Sequence, residues 1–180
     1  MKFFKNIFVA MAIMATFIFS TCFASPGCGE IPEEEIAIGG VTFGSTEEYV
    51  RRIYGEPTEM EYKKRGDIIN EYPQTTYIYG NSKTYFKIVF VNGVVFSAES
   101  VGNTGLKTPS GFSYGSKLTD VWAYYEKVGT LVPNTGRLGR HSKKTDKNTC
   151  AYYDSQWWKN FCFESDEKGR VKSISLYTTP

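Results

Sequence analysis

Histidine is almost absent from this chain, since His141 is the single copy among 180 residues. Triad catalysis needs a histidine base between a nucleophile and an orienting acid, whereas His141 lies in a polar segment beside Lys143 and Lys144. A zinc site needs three or four His, Cys or carboxylate ligands at workable spacing, and no GxxxxGK phosphate loop occurs. The sequence therefore predicts no catalytic residue, no metal and no cofactor.

An excess of one charge is lacking as well. The formal net charge is +2, and it falls to zero if Lys2 and Lys5 are removed with the N-terminal segment. Nucleic-acid binding depends on a basic patch or stripe. We therefore expect no nucleic-acid partner.

A long apolar run, from Ile7 to Phe19, follows two lysines near the start of the chain. This pattern is typical of a secretory signal peptide, and the run is shorter than the roughly 20 residues of a membrane span. We interpret residues 1–24 as a signal peptide. Residues 25–37 are interpreted as a flexible tether, since they are rich in acidic residues and in the proline and glycine that interrupt helices and strands. The protein is then exported, either secreted or periplasmic, in a bacterial cell envelope.

Cysteine is scarce, with four copies in the whole chain. Cys150 and Cys162 flank what look like two arms of one hairpin, and an exported protein meets an oxidising compartment. We expect a disulfide between them; two buried thiols are the alternative. If the protein were instead lipidated, Cys22 or Cys28 would carry the lipid. A lipid anchor of this kind is the one way in which we expect the protein to contact a membrane.

One short phrase occurs twice. Residues 40–45, Gly-Val-Thr-Phe-Gly-Ser, return at 111–116 as Gly-Phe-Ser-Tyr-Gly-Ser. In the same register, Val50 matches Val121 and Tyr54 matches Tyr125. We interpret this as a tandem duplication, with repeat 1 at 38–106 and repeat 2 at 107–180.

Each proposed repeat reads as a short helix followed by strands. Ser45 and Ser116 are predicted helix N-caps, and Gly55 and Gly129 end the two helices. Asn92-Gly93 predicts a tight hairpin. The fold class predicted is α+β, two tandem repeats that each pack a helix on an antiparallel meander. The predicted strands are Thr58–Tyr62, Thr75–Tyr79, Thr84–Val91, Val94–Ser100, Thr149–Tyr153, Trp158–Glu164 and Arg170–Tyr177.

Aromatic residues supply the candidate binding surface. Around Asn92-Gly93 both strand faces are apolar, with Ile88 and Phe90 on one face and Val89 and Val91 on the other. We expect the helix to cover one face. The other face is either covered as well or forms an exposed binding surface. Trp and Tyr dominate interface hot spots, although core packing is the commoner fate of any one of them. The candidate binding residues are Trp157, Trp158, Tyr152, Tyr153, Tyr77 and Tyr79.

The capped helix carries a resemblance. Residues 43–50, Phe-Gly-Ser-Thr-Glu-Glu-Tyr-Val, followed by Tyr54-Gly55-Glu56-Pro57, resemble the SmpA/OmlA (BamE) family of outer-membrane assembly lipoproteins. Two such units in one exported chain look like the β-lactamase inhibitory protein family. That resemblance implies two helix-plus-sheet repeats with a concave, aromatic-rich face that binds another protein.

We therefore predict a non-enzymatic binding protein whose partner is another envelope or extracellular protein, met through the open sheet face and the 150–162 hairpin. Two alternatives stay open. One is a carbohydrate-binding module or small hydrolase that uses strand carboxylates such as Glu59, Glu61, Glu99 and Glu164. The other is a structural envelope lipoprotein.

Overall fold

The computed structural model describes residues 33–64, 72–128, 148–154 and 159–178. The side chains of 126–128 and 148–154 are not described. A 3-10 turn at Glu33–Glu35 precedes the other elements. The helices and strands are α1 (Glu47–Tyr54), β1 (Glu59–Lys63), β2 (Gln74–Gly80), β3 (Tyr85–Val91), β4 (Val94–Val101), α2 (Leu118–Val128), β5 (Asn148–Asp154), β6 (Lys159–Ser165) and β7 (Val171–Thr178). No helix within these ranges is long and apolar enough to cross a membrane.

All seven strands belong to a single sheet in the order β1-β2-β3-β4-β7-β6-β5. Every neighbouring pair is antiparallel. The predicted fold class, two tandem helix-and-meander units like those of β-lactamase inhibitory protein, is therefore wrong. A single continuous sheet takes strands from both predicted segments. The domain boundaries at 38–106 and 107–180 stay a prediction.

The pairing of β4 with β7 makes the sheet continuous. Val101 lies opposite Ser173, and Ser97 lies opposite Tyr177, across five uninterrupted register positions. The paired residues are 72 to 80 positions apart in sequence, so no turn signal between the strands announces the pairing. Strand pairing of this kind depends on which edges remain available after each hairpin has formed, which local sequence does not specify.

The hydrophobic core lies between one sheet face and the two helices. Along β3 the side chains alternate, so that Phe86, Ile88 and Phe90 are buried while Lys87 is exposed. This alternation is the period of two that an extended strand imposes. The helices add apolar side chains to the same cluster, which includes Val50, Leu118, Val121, Tyr125, Phe161, Phe163, Ile174 and Leu176.

The two copies of the repeated phrase make matching backbone contacts. Gly44 N donates to Val95 O and Val95 N donates to Ser45 O, at 3.2 and 2.8 Å. Gly115 N and Val171 N make the corresponding bonds to Val171 O and Ser116 O, at 2.8 and 2.9 Å. The repeated phrase therefore sets how the segment before each helix is hydrogen-bonded to a strand. This local feature does not determine how the strands pair with one another in the sheet.

The N-cap of α1 is displaced by one residue from its predicted position. In α1 the N-cap is Thr46, whose Oγ1 accepts a hydrogen bond from Tyr49 N at 3.1 Å. Ser45 Oγ instead accepts a bond from Thr42 N at 3.1 Å, and it thereby closes the turn before the helix. Ser116 Oγ has the same role, accepting from Ser113 N at 3.0 Å. Ser and Thr hydroxyls serve either purpose, which is why sequence alone misassigned them.

Candidate functional site

The sheet face opposite the helices carries the candidate site. Two rows of side chains cross the middle of the sheet there, from β3 through β4 to β7. The first row is Val89, Ser97 and Tyr177, and the second is Lys87, Glu99 and Ser175. We call these six residues the open face. They surround a shallow depression of about 360 Å³.

Small side chains form the floor of this depression. Ser97 and Ser175 are half-buried, and their short hydroxymethyl groups leave space between the larger residues at either side. Val89 is half-buried, whereas Tyr177 is 39% exposed. The open face therefore combines one apolar side, one aromatic side and hydroxyl groups that can donate or accept hydrogen bonds.

Both signs of charge are present on the open face. Lys87 is exposed and lies directly across from Glu99 in the register of β3 and β4. Tyr85 donates to Glu99 Oε2 at 3.4 Å, and burial together with the Glu99 charge raises the pKa of Tyr85. Neutral Tyr85 therefore remains a donor that holds the Glu99 carboxylate beside Lys87.

A second carboxylate lies farther along the same face. Glu164 forms a 2.7 Å ion pair with Lys172 and accepts a 3.3 Å hydrogen bond from Ser173. Cys162 lies between these groups and the depression, with its Sγ 3.8 Å from Tyr177 Oη. By register all four strand carboxylates of the hydrolase alternative, Glu59, Glu61, Glu99 and Glu164, lie on the face opposite the core. Glu99 and Glu164 each have a hydroxyl partner.

Two predicted binding residues lie on the opposite side of the sheet. Tyr77 is fully buried in the core; its Oη donates to Glu47 Oε2 at 2.7 Å and accepts from Arg51 Nε at 2.8 Å. Tyr79 packs against Tyr54 with ring centroids 5.4 Å apart. The aromatic-rich face expected from the sequence is thus the face that receives α1, and the open face does not include these residues.

The other aromatic candidates are only partly described. Trp157 and Trp158 lie outside the described residues, as does His141. Tyr152 and Tyr153 belong to β5, where the backbone pairs with Phe161 and Asn160 of β6. Their proposed role in binding stays a prediction.

Cys150 and Cys162 are direct cross-strand neighbours in the register of β5 and β6. A register shift follows immediately, between Cys150 and Tyr152. Direct neighbours on antiparallel strands have Cα atoms about 4.5 to 5.5 Å apart, which lies within the range that a disulfide needs. The predicted bridge is therefore compatible with the backbone, and it stays a prediction.

Sequence reasoning missed four open-face residues: Ser97, Ser175, Lys87 and Tyr177. The signal for them was the alternation around Asn92-Gly93, which separated Val89 from Ile88. Serine and lysine carry little weight in a search for aromatic hot spots, so the sequence favours Tyr77 and Tyr79, which the structure places on the α1 side of the sheet. Among the described residues, no group of three or more His, Cys, Asp and Glu is arranged to hold a metal ion.

Comparison with known proteins shows the fold alone. No protein-family model matches the sequence, and no curated protein matches it either. A solved cysteine-rich secretory protein from Staphylococcus aureus subsp. aureus Mu50 is similar in structure, with a TM-score of 0.55 and 11% identity. The similarity covers 83% of this chain and 49% of that one, so this chain spans about half the length of that protein.

A second solved structure is an extracellular protein containing an SCP domain from Bacillus anthracis str. Ames. Its TM-score is 0.40 at 14% identity, over 75% of this chain and 43% of that one. The resemblance to the SmpA/OmlA and β-lactamase inhibitory protein families was wrong, since the structure that shares this fold with a TM-score above 0.5 is a cysteine-rich secretory protein.

Proposed function

We propose that this chain is an exported, non-enzymatic binding protein whose open face receives a segment of another extracellular or envelope protein. The observation that supports the proposal is the depression floored by Ser97 and Ser175 between Val89 and Tyr177. A protein segment that fills it covers an apolar and an aromatic side chain and meets hydroxyls and both signs of charge. Interfaces outside obligate complexes have this mixed composition.

The position of the open face adds a second argument. It lies on three central strands, which hydrogen bonds hold on both sides. A site on such strands is held more rigidly than one on a loop, so less conformational entropy is lost on binding. The two charged groups, Lys87 and Glu99, would fix the orientation of the partner more than they would raise affinity.

The test is a pull-down from the native extracellular and envelope fractions. It compares the wild type with two variants, Val89→Arg and the control Ile53→Arg. Val89→Arg fills the depression with a long charged side chain, whereas the control, Ile53→Arg, places the same group on α1, where Ile53 is 45% exposed. Circular dichroism and thermal melting check that both variants fold.

A partner retained by the wild type and by Ile53→Arg, and lost by Val89→Arg, is the expected result. Equal capture by all three folded forms would overturn the proposal. Retention of envelope glycans in place of protein by the wild type would favour the carbohydrate-binding alternative. A lipid-modified cysteine in the mass spectrum of the mature protein would instead favour the lipoprotein alternative.

A further inference from the structure

The strand at one edge of the sheet is exposed along its whole length. All five residues of β1 (Glu59–Lys63) are exposed, and β1 pairs with β2 on one side without any register shift. On its other side β1 has no partner strand among the described residues. Such an edge presents a row of backbone donors and acceptors that a further strand can pair with.

We propose that β1 pairs antiparallel with β1 of a second copy of this chain, with Glu61 of each copy at the centre. In that register Glu59 of each copy lies opposite Lys63 of the other, which gives two ion pairs. Met60 lies opposite Tyr62 of the other copy, also twice. The five-residue strand is therefore complementary to its own reverse in both charge and apolarity, which indicates a second copy rather than an unrelated strand.

The apolar pair is the main favourable contribution. Met60 and Tyr62 are 59% and 61% exposed, and strand alternation puts them on the same side of the sheet as α1. Met60 Sδ already lies 3.6 Å from Arg51 Nη2 on that helix. Cross-strand pairs of an aromatic and an apolar side chain stabilise a sheet.

The two helices leave room for this contact. α1 lies against β2, because Tyr77 bonds to Glu47 and Tyr79 donates to Gly55 O at 3.1 Å. With strands about 4.8 Å apart, β2 of the two copies would be separated by three spacings, or roughly 14 Å. Packed helices need about 8 to 10 Å, so the space between the two copies of α1 can be occupied by Met60 and Tyr62.

The central pair of Glu61 side chains is the unfavourable element. Each copy offsets it in part, because Lys63 Nζ lies 3.5 Å from Glu61 Oε1 in its own chain. The diagonal neighbours of Glu61 on the other copy, Lys63 and Glu59, have opposite charges and largely cancel. Charges at a sheet edge usually oppose pairing. Here they oppose pairing with most strands, while the opposite signs at 59 and 63 permit pairing with a second β1.

Each copy contributes a single five-residue strand to this interface, whereas stable association usually needs more than about 1,000 Å² of buried surface. Dimerisation is therefore expected at high protein concentration. Sedimentation equilibrium of the purified protein, followed up to about 1 mM, measures it. A wild type that stays monomeric over this range would overturn the proposal.

Charge reversal identifies the register. Glu59→Lys puts lysines opposite each other in its homodimer, and Lys63→Glu puts glutamates opposite each other, so each variant alone should dimerise at least tenfold more weakly. An equimolar mixture of the two restores both ion pairs in a heterodimer. The mixture should therefore recover association close to that of the wild type, which a folding defect in either variant could not produce.

Glu167→Lys is the matched control, because it makes the same charge change at an exposed turn far along the chain from β1. It should associate like the wild type. A mixture that stays as weak as its two components, or a Glu167→Lys variant weakened as much as Glu59→Lys, would contradict the proposed pairing. Glu61→Gln should strengthen dimerisation by removing the repulsion at the centre.

Discussion

Tyr54 donates its phenolic hydrogen to the backbone carbonyl of Gly39, across 2.5 Å from Oη to O. The bond joins the last residue of α1 to the turn that precedes the helix. Tyr125 of α2 makes a corresponding contact with Ser110 Oγ at 2.9 Å. Each helix is thereby held at its far end to the segment that leads into it, which a helix of eight residues such as α1 needs, because short helices are marginal on their own.

Substitution at Gly39 tests this attachment. Gly39 has a φ of +57°, and an added Cβ would overlap Tyr54 Oη and lie 2.9 Å from Leu106 Cδ2. Gly39→Ala should lower the free energy of unfolding by about 3 kcal/mol, since steric crowding is added to left-handed strain. Gly111→Ala is the control, because Gly111 has a φ of +88° but nothing within 4 Å of the added Cβ. It should cost about 1 to 2 kcal/mol, and equal losses in urea titrations would argue against the attachment.

Alkaline pH should destabilise the protein through the same two tyrosines. Burial raises the pKa of Tyr54 and of Tyr125 to about 12, from an ordinary value of 10. The folded state therefore holds these protons more tightly than the unfolded state does. Their contribution to stability is complete below pH 10 and is lost as the pH rises from 10 towards 12.

The measurement is the free energy of unfolding between pH 8 and 11 for the wild type and for the double variant Tyr54→Phe/Tyr125→Phe. The decline above pH 10 should be shallower in the double variant, because it lacks both titrating groups. Tyr114→Phe, at a residue that is 50% exposed, should leave the slope unchanged. A double variant with the wild-type slope would show that other groups cause the alkaline loss.

The buried hydroxyl of Tyr77 should matter more for stability than that of Tyr85. Tyr77 Oη is bonded to both Glu47 and Arg51, at 2.7 and 2.8 Å, and hydrogen bonds to charged groups contribute about 1.5 to 3 kcal/mol. Tyr77→Phe should lower the free energy of unfolding by about 2 kcal/mol or more. Tyr85→Phe loses one longer bond of 3.4 Å to Glu99, so thermal melting should show a smaller change, and the reverse order would contradict the assignment.

The register of β5 and β6 makes the predicted disulfide testable. If Cys150 and Cys162 are bridged, neither reacts with iodoacetamide until a reductant is added, and a tryptic digest contains the linked peptide. Replacing both by serine should then reduce stability by about 2 to 3 kcal/mol, since the bridge closes a short loop. Alkylation of both cysteines in the unreduced, exported protein would show that no bridge forms.

Local structure was readable from the sequence where local forces decide it. The Asn92-Gly93 hairpin has positive φ at both residues, 52° and 77°, as its type of turn requires. The helix stripe that places Val50 and Tyr54 on one side also agrees with their packing into or against the core. In each case the deciding interactions lie within a few residues of one another.

The site was less predictable because it depends on non-local pairing and on strand parity. The sequence predicts Tyr77 on a binding surface, but the structure buries its side chain on the core face of β2. The neighbouring side chains, Thr76 and Ile78, point to the opposite face, because successive residues of a strand alternate. Ser97 and Tyr177 become neighbours only through the pairing of β4 with β7, which no local pattern encodes. The duplication inferred from the repeated phrase led to an architecture of separate units, and the continuous sheet corrects it.

The most direct measurement of the central claim is photo-crosslinking in cells that export the protein, with a photoreactive amino acid placed at Ser175 or, as the control, at Ile53. Ser175 lies in the floor of the open face and Ile53 on the exposed side of α1. Our account predicts a crosslinked partner protein from Ser175 that is absent from Ile53. The same products from both positions, or products from Ile53 alone, would contradict it.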